Sequence, residues 1–238
     1  MENTSLEHVL IQSRITILNL LERRGYNTAP YKKMLGPEML KLSGEELLRK
    51  VNDPEALRMT LQHTKDPLKK AIVEYVFTNI KTSVGNFEYI NRMLNDPPES
   101  ESKAKIAQKL FNIDPATTEV IVLYAGRDTS DDKESPYDKG ALEAWNRHKF
   151  RIQFFPIARM VINPLDHVLQ PKFEIVDPKE HDALKKEWYI RNFSQLPIIK
   201  FHVDMAARCL GLVPMDIVKI TSVSPSAGEY VKYRICAP

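Results

Sequence analysis

QLPIIKFHVDMAARCLGLVPMDIVKITSVSPSAGEYVKYRICAP, residues 195–238, is the stretch whose pattern decides the fold. Asp204 is placed to cap a short helix that runs through Leu210 and stops at Gly211. Residues 217–221 and 230–235 are predicted strands, the second with alternating side chains, and the Ser-Pro-Ser-Ala-Gly segment at 224–228 supplies a turn between them. A short helix followed by a hairpin predicts a small α+β module.

The chain as a whole shows no pattern of catalytic or cofactor-binding groups. Its six histidines have no metal-ligand spacing with one another or with the two cysteines. Its eight glycines form neither a phosphate-binding loop nor a GxSxG turn. We expect both cysteines to be reduced thiols. A well-specified module without catalytic groups predicts a domain that binds another protein and carries no cofactor and no metal.

The composition favours a globular protein of one large or two small domains. The chain has 238 residues, of which 43% are hydrophobic and 27% charged. Its net charge of +3 is too small to establish a nucleic-acid partner. No apolar run approaches the roughly 18 residues that a membrane span needs, and the N-terminus lacks a signal-peptide pattern. We therefore expect no membrane association.

The chain before residue 165 has the alternation of an α/β domain. An amphipathic helix is predicted over residues 4–25, where apolar residues recur at helical intervals and Gly25 follows two arginines. Strands are predicted over residues 71–77, 119–125 and 151–157, and further helices over residues 44–51, 54–62, 86–94, 103–111 and 137–148. This order predicts an open α/β sheet. We expect two domains, residues 1–165 and 166–238.

The densest basic cluster of the chain lies at residues 147–151. Arg147, Lys149 and Arg151 stand near the aromatic residues Trp145 and Phe150. Interleaved cations and aromatics could face a nucleic-acid backbone. The alternative is a solvated helix end, where basic residues meet the helix dipole. The cluster is therefore a candidate DNA-facing surface, with the solvated end as the simpler interpretation.

A nuclease site is the enzymatic alternative that the sequence offers. Glu99, Glu101 and Lys103 have the spacing of half of a metal-dependent nuclease motif. Such a site needs carboxylates held on adjacent strands around a divalent cation. These residues stand in a polar segment rich in proline and serine, which argues against that role.

A series of motifs in the C-terminal part resembles a known family. Gln-Leu-Pro at 195–197, Leu-Gly-Leu at 210–212, Ile-Val-Lys-Ile at 217–220 and a Tyr-x-x-Tyr-Arg strand at 230–234 follow one another in order. This run is similar to the fifth subunit of eukaryotic-type DNA-directed RNA polymerases, whose C-terminal domain corresponds to a small subunit of the archaeal RNA polymerase. The resemblance extends upstream to about residue 161 and is weaker before it.

The chain also departs from the pattern of this family at several positions. The substituted positions are Ile198 for arginine, Met205 for proline, Met215 for glycine, Glu229 for arginine and Phe173 for histidine. The turn at 224–228 differs as well. These departures indicate a divergent member that belongs to one specialised polymerase, to a distant eukaryotic lineage or to a large DNA virus.

The resemblance implies an architecture and a function. Residues 1–165 would be a jaw domain with a restriction-endonuclease-like open sheet that lies beside downstream duplex DNA and reads no sequence. Residues 166–238 would be a small assembly domain that docks on the largest subunit of a hetero-oligomeric polymerase. The chain would be non-catalytic and nuclear, and nucleolar or in a viral factory or virion if it serves a ribosomal or viral polymerase. A free-standing adaptor that reuses the assembly domain is the main alternative, and a nuclease is the other.

The residues that the resemblance assigns to the assembly interface, or to the fold that supports it, all lie in the C-terminal stretch. They are Gln195, Leu196, Pro197, Asp204, Gly211, Leu212, Val218, Lys219, Gly228, Tyr230, Tyr233 and Arg234.

Overall fold

The computed structural model describes residues 6–33, 57–77, 90, 113–126, 135–224, 226 and 228–238. The chain divides into two compact units, Met1–Ile162 and Asn163–Pro238. Each unit combines helices with one four-stranded mixed sheet. The mixed α/β character predicted from the sequence is therefore confirmed.

The first unit is built on a sheet of strand order β1-β2-β3-β4. Strands β2, β3 and β4 run parallel, and β1 pairs antiparallel with β2 at the edge. Its elements are helices α1 (Leu6–Arg23), α2 (Ala29–Lys33) and α3 (Pro136–His148), and strands β1 (Met59–Gln62), β2 (Lys70–Val76), β3 (Thr118–Tyr124) and β4 (Arg151–Pro156). The predicted strands 71–77, 119–125 and 151–157 and the predicted helix 137–148 are thus confirmed.

Helices cover both faces of this sheet. On the α1 face, Ser13 of α1 lies 3.4 Å from the hydroxyl of Tyr75, which is buried on β2. On the α3 face, Ala141 and Ala144 pack into one apolar cluster with the sheet residues Ile72, Val120, Val122, Ile152 and Phe154. The central strands are therefore buried on both faces, which explains why β3 is a continuous apolar run rather than an alternating one.

The predicted helix over residues 54–62 is wrong for its second half. Residues 59–62 form β1, in which Met59 and Leu61 are buried while Thr60 and Gln62 are exposed. This alternation is stabilised by pairing with β2, a long-range contact that overrides local helix propensity. The predicted helices over residues 44–51 and 103–111, and that over residues 86–94 apart from Ile90, lie outside the described residues.

Local signals set the ends of two helices in the first unit. Helix α1 confirms the predicted amphipathic helix, and Gly25 follows its end with a φ of 92°. Helix α3 begins with a capping box between Ser135 and Asp138 and ends at Lys149, which has a φ of 53°.

The second unit is built on a sheet of strand order β5-β7-β8-β6. Strands β5 and β8 pair antiparallel with β7, and the short β6 pairs parallel with the end of β8. Its elements are strands β5 (Lys172–Ile175), β6 (Ile198–Lys200), β7 (Ile217–Ser224) and β8 (Gly228–Ala237), and helices α4 (His181–Glu187) and α5 (Met205–Leu210). The predicted hairpin is confirmed and is longer than expected, whereas β5 and β6 were not predicted.

The core of this unit joins α4 to one face of its sheet. Leu184 of α4 packs in one apolar cluster with Leu196, Ile217, Ile235 and Val176. We call the face that carries Ile217 and Ile235 the α4 face. Because residues paired across antiparallel strands share a face, Lys219 and Tyr233 also lie on the α4 face, and Ile220 and Lys232 lie on the opposite face.

Candidate protein-docking surface

Three of the candidate interface residues, at 195–197, hold the backbone that enters β6. The Gln195 side-chain oxygen accepts hydrogen bonds from the backbone N–H groups of Arg191 at 2.9 Å and Asn192 at 3.4 Å. Leu196 is buried in the core, and the Pro197 carbonyl accepts from the Ile235 N–H at 3.0 Å. The Gln-Leu-Pro element therefore supports the fold through the Gln195 amide oxygen, the Leu196 side chain and the Pro197 carbonyl, while Gln195 and Pro197 themselves are exposed.

Asp204, Gly211 and Leu212 define the ends of helix α5. The Asp204 carboxylate accepts from the Ala207 N–H at 3.0 Å, as predicted for its N-cap. Gly211 has a φ of 72°, a conformation that disfavours side chains, and the Leu212 N–H donates to the Ala207 carbonyl at 3.0 Å. Leu212 is fully buried. These residues too are structural.

The α4 face of the hairpin presents an aromatic pair near its middle. Tyr233 lies opposite Lys219 on β7 and meets Trp188 edge-to-face at 5.1 Å. Partial burial raises the pKa of Tyr233, and the nearby carboxylates Glu187 and Glu180 raise it further. The Tyr233 hydroxyl therefore stays neutral and can donate a hydrogen bond at the half-exposed edge of this face.

The opposite face of β8 carries cations beside an aromatic ring. The Lys232 amine lies 4.6 Å from the centre of the Tyr230 ring, and hydrogen bonds from Lys232 and Ser222 lower the pKa of Tyr230. The Arg234 guanidinium donates to the Ile198 carbonyl at 3.0 Å. Val218 on the same face is fully buried. This face thus passes from a buried end at Val218 to an exposed basic and aromatic end.

Gly228 begins β8 with a φ of 67°, in the left-handed region. A Cβ atom added there would meet no other atom within 4 Å. Glycine is thus favoured at this position by the backbone conformation and not by crowding.

Several exposed apolar residues of the second unit were not predicted. Tyr189, just after α4, is 94% exposed with a φ of 52°, and Met215, just before β7, is 68% exposed with a φ of 84°. Side chains are disfavoured in both conformations, and the high exposure of both residues leaves little packing to offset that cost. The departure of Met215 from the glycine of the resembled family was a usable signal, whereas Tyr189 had none. Val168, Leu169, Ile198 and Val223 are also exposed.

The β7–β8 hairpin, with its aromatic and basic residues, is the strongest candidate docking surface among the described residues.

In the first unit the structure separates the basic cluster into different environments. Arg147 is exposed and pairs with Glu143, and the Lys149 amine lies 5.8 Å from the centre of the Trp145 ring. Phe150 is fully buried and cannot stack on a base. The Arg151 guanidinium lies 3.1 Å from the buried carboxylate of Glu119. Arg147 and Lys149 are therefore exposed, whereas Arg151 is only partly exposed and pairs with a buried carboxylate.

Glu119 is the centre of a buried polar cluster at the amino end of β3. Arg24 donates to Glu119 at 3.1 Å and to Gln153 at 3.0 Å. Burial alone would raise the pKa of Glu119, but the charges of Arg151 and Arg24, with a hydrogen bond from Tyr26, hold that pKa below its ordinary value. Ligand sites of parallel sheets lie at the carboxyl ends of the strands, so this cluster is best explained as structural.

The sheet gives no support to a nuclease site. Glu74, its other buried carboxylate, pairs with Arg58 at 3.2 Å. Glu74 is paired with Val122, three positions from Glu119 on β3, so the two carboxylates point to opposite faces and cannot share a cation. Within the described ranges no group of three metal-ligating side chains occurs. Glu99, Glu101 and Lys103 lie outside the described residues.

None of the described helices is long and apolar enough to cross a membrane.

Comparison with known proteins gives matches of two kinds. Residues 162–236 match the family described as RNA polymerase Rpb5, C-terminal domain. The chain is similar to DNA-directed RNA polymerase subunit Rpo5 of Thermococcus kodakarensis, with 42% identity over 78 residues, which is 33% of this chain and 93% of that protein. It is also similar to the DNA-directed RNA polymerases IV and V subunit 5B of Arabidopsis thaliana, with 25% identity over 228 residues, 95% of this chain and 89% of that one.

A third relative is the DNA-directed RNA polymerases I, II, and III subunit rpabc1 of Dictyostelium discoideum. The two chains are 33% identical over 103 residues, which is 43% of this chain and 51% of the relative.

Proposed function

Because the chain belongs to the family of the fifth subunits of DNA-directed RNA polymerases, we propose that its second unit docks on the largest subunit and its first unit is a jaw beside downstream duplex DNA. Subunits of this kind are non-catalytic members of the polymerase complex. The chain accordingly takes part in transcription as one subunit of a hetero-oligomer. Its eukaryotic relatives imply a nuclear location.

The observation that carries the docking proposal is the extent of the archaeal match. The matched stretch is one third of this chain but 93% of the archaeal subunit, and residues 162–236 nearly coincide with the second compact unit. A part that corresponds to a nearly complete polymerase subunit has the size expected of an assembly module. The exposed residues Tyr189 and Tyr230 and the half-buried Tyr233 are of a type enriched where proteins meet.

The jaw proposal rests on weaker support. Helices on both faces of a mostly parallel sheet are compatible with a restriction-endonuclease-like architecture. The exposed end of α3 carries Arg147 and Lys149, which would contact phosphates without reading sequence. Arg151 is left out of this set, because its charge already balances Glu119.

Cross-linking of the native complex tests both parts. The tagged full-length chain should recover a multisubunit polymerase, and cross-links from the second unit should fall mainly on the largest subunit. Recovery of the chain alone, or with partners that include no polymerase subunit, would favour the free-standing adaptor instead.

DNA contact is tested in the same complex by charge reversal. The double variant Arg147→Glu, Lys149→Glu should lower photo-cross-linking of the first unit to downstream DNA several-fold. The remaining cross-linking should depend less on salt concentration. Lys139→Glu, an exposed change in the first turn of the same helix, is the matched control. Equal cross-linking in all three proteins would contradict DNA contact by α3 and leave docking unaffected.

A further inference from the structure

Among the described residues of the second unit, the outer edge of β8 is an open strand edge over most of its length. Strand β8 runs from Gly228 to Ala237, but β6 pairs only with Ile235, Cys236 and Ala237. From Gly228 to Arg234 no described strand lies on that side. Edge strands of this kind are templates for pairing with another chain.

The register identifies the backbone groups that point outward. The Ile235 N–H donates to the Pro197 carbonyl on the β6 side, so Ile235 does not exchange hydrogen bonds with its partner Ile217 on β7. Bonded and non-bonded pairs alternate along an antiparallel ladder. The N–H and C=O groups of Tyr233, Val231 and Glu229 therefore point away from β7, toward the open edge.

Pro197 explains where the pairing of β6 stops. In a parallel ladder the residue that accepts from Ile235 would next donate its own N–H to the carbonyl of Tyr233. That residue is Pro197, which has no N–H. The proline of the Gln-Leu-Pro element thus ends the ladder of β6 and leaves an open slot, which we define as the β8 edge from Glu229 to Tyr233.

The side chains around the slot define the chemistry of an occupant. On the α4 face, Val231 and Tyr233 are half-buried, so a neighbouring strand would place apolar side chains there. On the opposite face, Lys232 and Arg234 bring two positive charges, and none of the residues that β5, β6 and β7 place on that face is acidic. A strand beside them gains from carboxylates at those positions.

We propose that an extended segment of another polymerase subunit, with apolar residues alternating with acidic ones, adds as a strand to the β8 edge at Glu229, Val231 and Tyr233. The inference rests on the proposed function for the identity of the partner. Main-chain hydrogen bonds provide affinity in this mode, and the alternating side chains provide specificity. The charge of Lys232 and Arg234 is what favours an acidic segment over a second copy of this chain, whose own β8 edge carries the same cations.

Amide hydrogen exchange in the assembled complex tests the strand directly. Compared with the free chain, the outward amides of Glu229, Val231 and Tyr233 should exchange at least about 10-fold more slowly once each gains a hydrogen bond. The amides of Tyr230, Lys232 and Arg234 already bond to β7 and serve as internal controls that should change less. Equal exchange of the outward amides in the free and assembled chain would overturn the inference while the proposed function stands.

Two valine-to-proline variants give a matched test. Val231→Pro removes an outward N–H from the slot, whereas Val223→Pro removes one from the outer edge of β7, beyond the end of β5. Neither N–H belongs to the β7–β8 ladder, and edge strands tolerate proline at such positions. Val231→Pro should lower recovery of the polymerase at least about 10-fold. Val223→Pro also changes an exposed apolar residue of the hairpin, but it should lower recovery less than Val231→Pro does, because its N–H faces away from the slot.

Lys232→Glu tests the same association without a change to the backbone. The substitution should weaken the same association and should leave the hairpin folded, as judged by Trp188 fluorescence. Unchanged association in both Val231→Pro and Lys232→Glu would overturn the inference. Protection of the slot in the free chain, accompanied by a dimer mass, would also overturn it, because the occupant would then be a second copy. If the tagged chain recovers no polymerase subunit, the proposed function is contradicted as well.

Discussion

The two four-stranded sheets of this protein are completed in different ways. In the first unit, helices α1 and α3 cover both faces, and the buried carboxylates Glu74 and Glu119 are each neutralised by arginines within the unit. In the second unit, the β7–β8 hairpin runs past both neighbouring strands and ends in an exposed turn. The first sheet pairs its buried carboxylates with arginines of the same unit, and the second leaves backbone groups of β8 for which we propose a partner strand.

The two units should therefore respond to different kinds of substitution. The stability of a unit with buried ion pairs is most sensitive to a change that leaves one buried charge without its partner, because the desolvation cost of that charge is then uncompensated. An open sheet is sensitive to its backbone conformation and its edge. The chain has two tryptophans, Trp145 in the first unit and Trp188 in the second, so a Trp→Phe change at either one leaves a fluorescence probe for the other unit.

Glu119→Gln should have the largest effect. It leaves Arg24 and Arg151 without their shared carboxylate, so the free energy of unfolding of the first unit should fall by about 3–5 kcal/mol. This loss is measured by urea unfolding, followed by the fluorescence of Trp145 in a Trp188→Phe background. Glu143→Gln, which removes only the exposed pair with Arg147, should cost about 0.5 kcal/mol or less. Similar losses in the two variants would show that the buried cluster is not what stabilises this sheet.

The same cluster predicts a pH dependence for the first unit alone. The folded pKa of Glu119 lies below its value of about 4.3 in an unfolded chain. Its contribution is therefore fully present above about pH 4.3 and is lost as the pH falls through the folded pKa. The stability difference between wild type and Glu119→Gln should shrink over that acidic range. A difference that is constant with pH would contradict the assignment.

Gly228→Val tests the hairpin of the second unit. A side chain in the left-handed conformation costs roughly 1–2 kcal/mol, and no neighbouring atom adds to that cost. Unfolding followed by Trp188 in a Trp145→Phe background should show this loss, together with weaker incorporation into the polymerase. Gly228→Asn is the control, since asparagine tolerates this conformation better. If valine and asparagine behave alike, the turn does not require a positive φ.

Met215→Gly should have the smallest effect, and it should be stabilising. Glycine accepts the φ of 84° that methionine adopts under strain, so the second unit should gain up to about 1 kcal/mol. Met205→Gly in helix α5 is the opposite case and should lose up to about 1 kcal/mol. Urea unfolding followed by Trp188 compares the two. Destabilisation by Met215→Gly would show that its exposed side chain contributes to folding after all.

Much of the local structure was predictable from the sequence. The buried strands β2, β3 and β4 are apolar and rich in β-branched residues, and Asp204 and Gly211 are unambiguous helix signals. The error at residues 59–62 and the omission of β5 and β6 have one cause. Strands of three or four residues are too short for a periodic pattern, and only their pairing partners define them.

The candidate surface was predictable only in part. The sequence resemblance selected Gln195, Asp204 and Leu212 together with Tyr230 and Tyr233, and it had no means to separate residues that hold the backbone from residues that face outward. The density of basic residues at 147–151 likewise grouped Arg151 with Arg147, although the pairing of β3 with β4 brings Arg151 to Glu119. Contacts between residues far apart in the chain decide these roles.

The family, the hairpin and the caps of α5 could be predicted from the sequence, in which no catalytic motif was recognised. These features depend on residue types at short spacing. Only the tertiary structure shows which charges are buried together, as at Glu119, and which backbone groups face an edge where no described strand lies, as at Val231 and Tyr233. The physical reason is that hydrogen bonds and ion pairs across a sheet depend on register, and register is fixed by the packing of the whole unit.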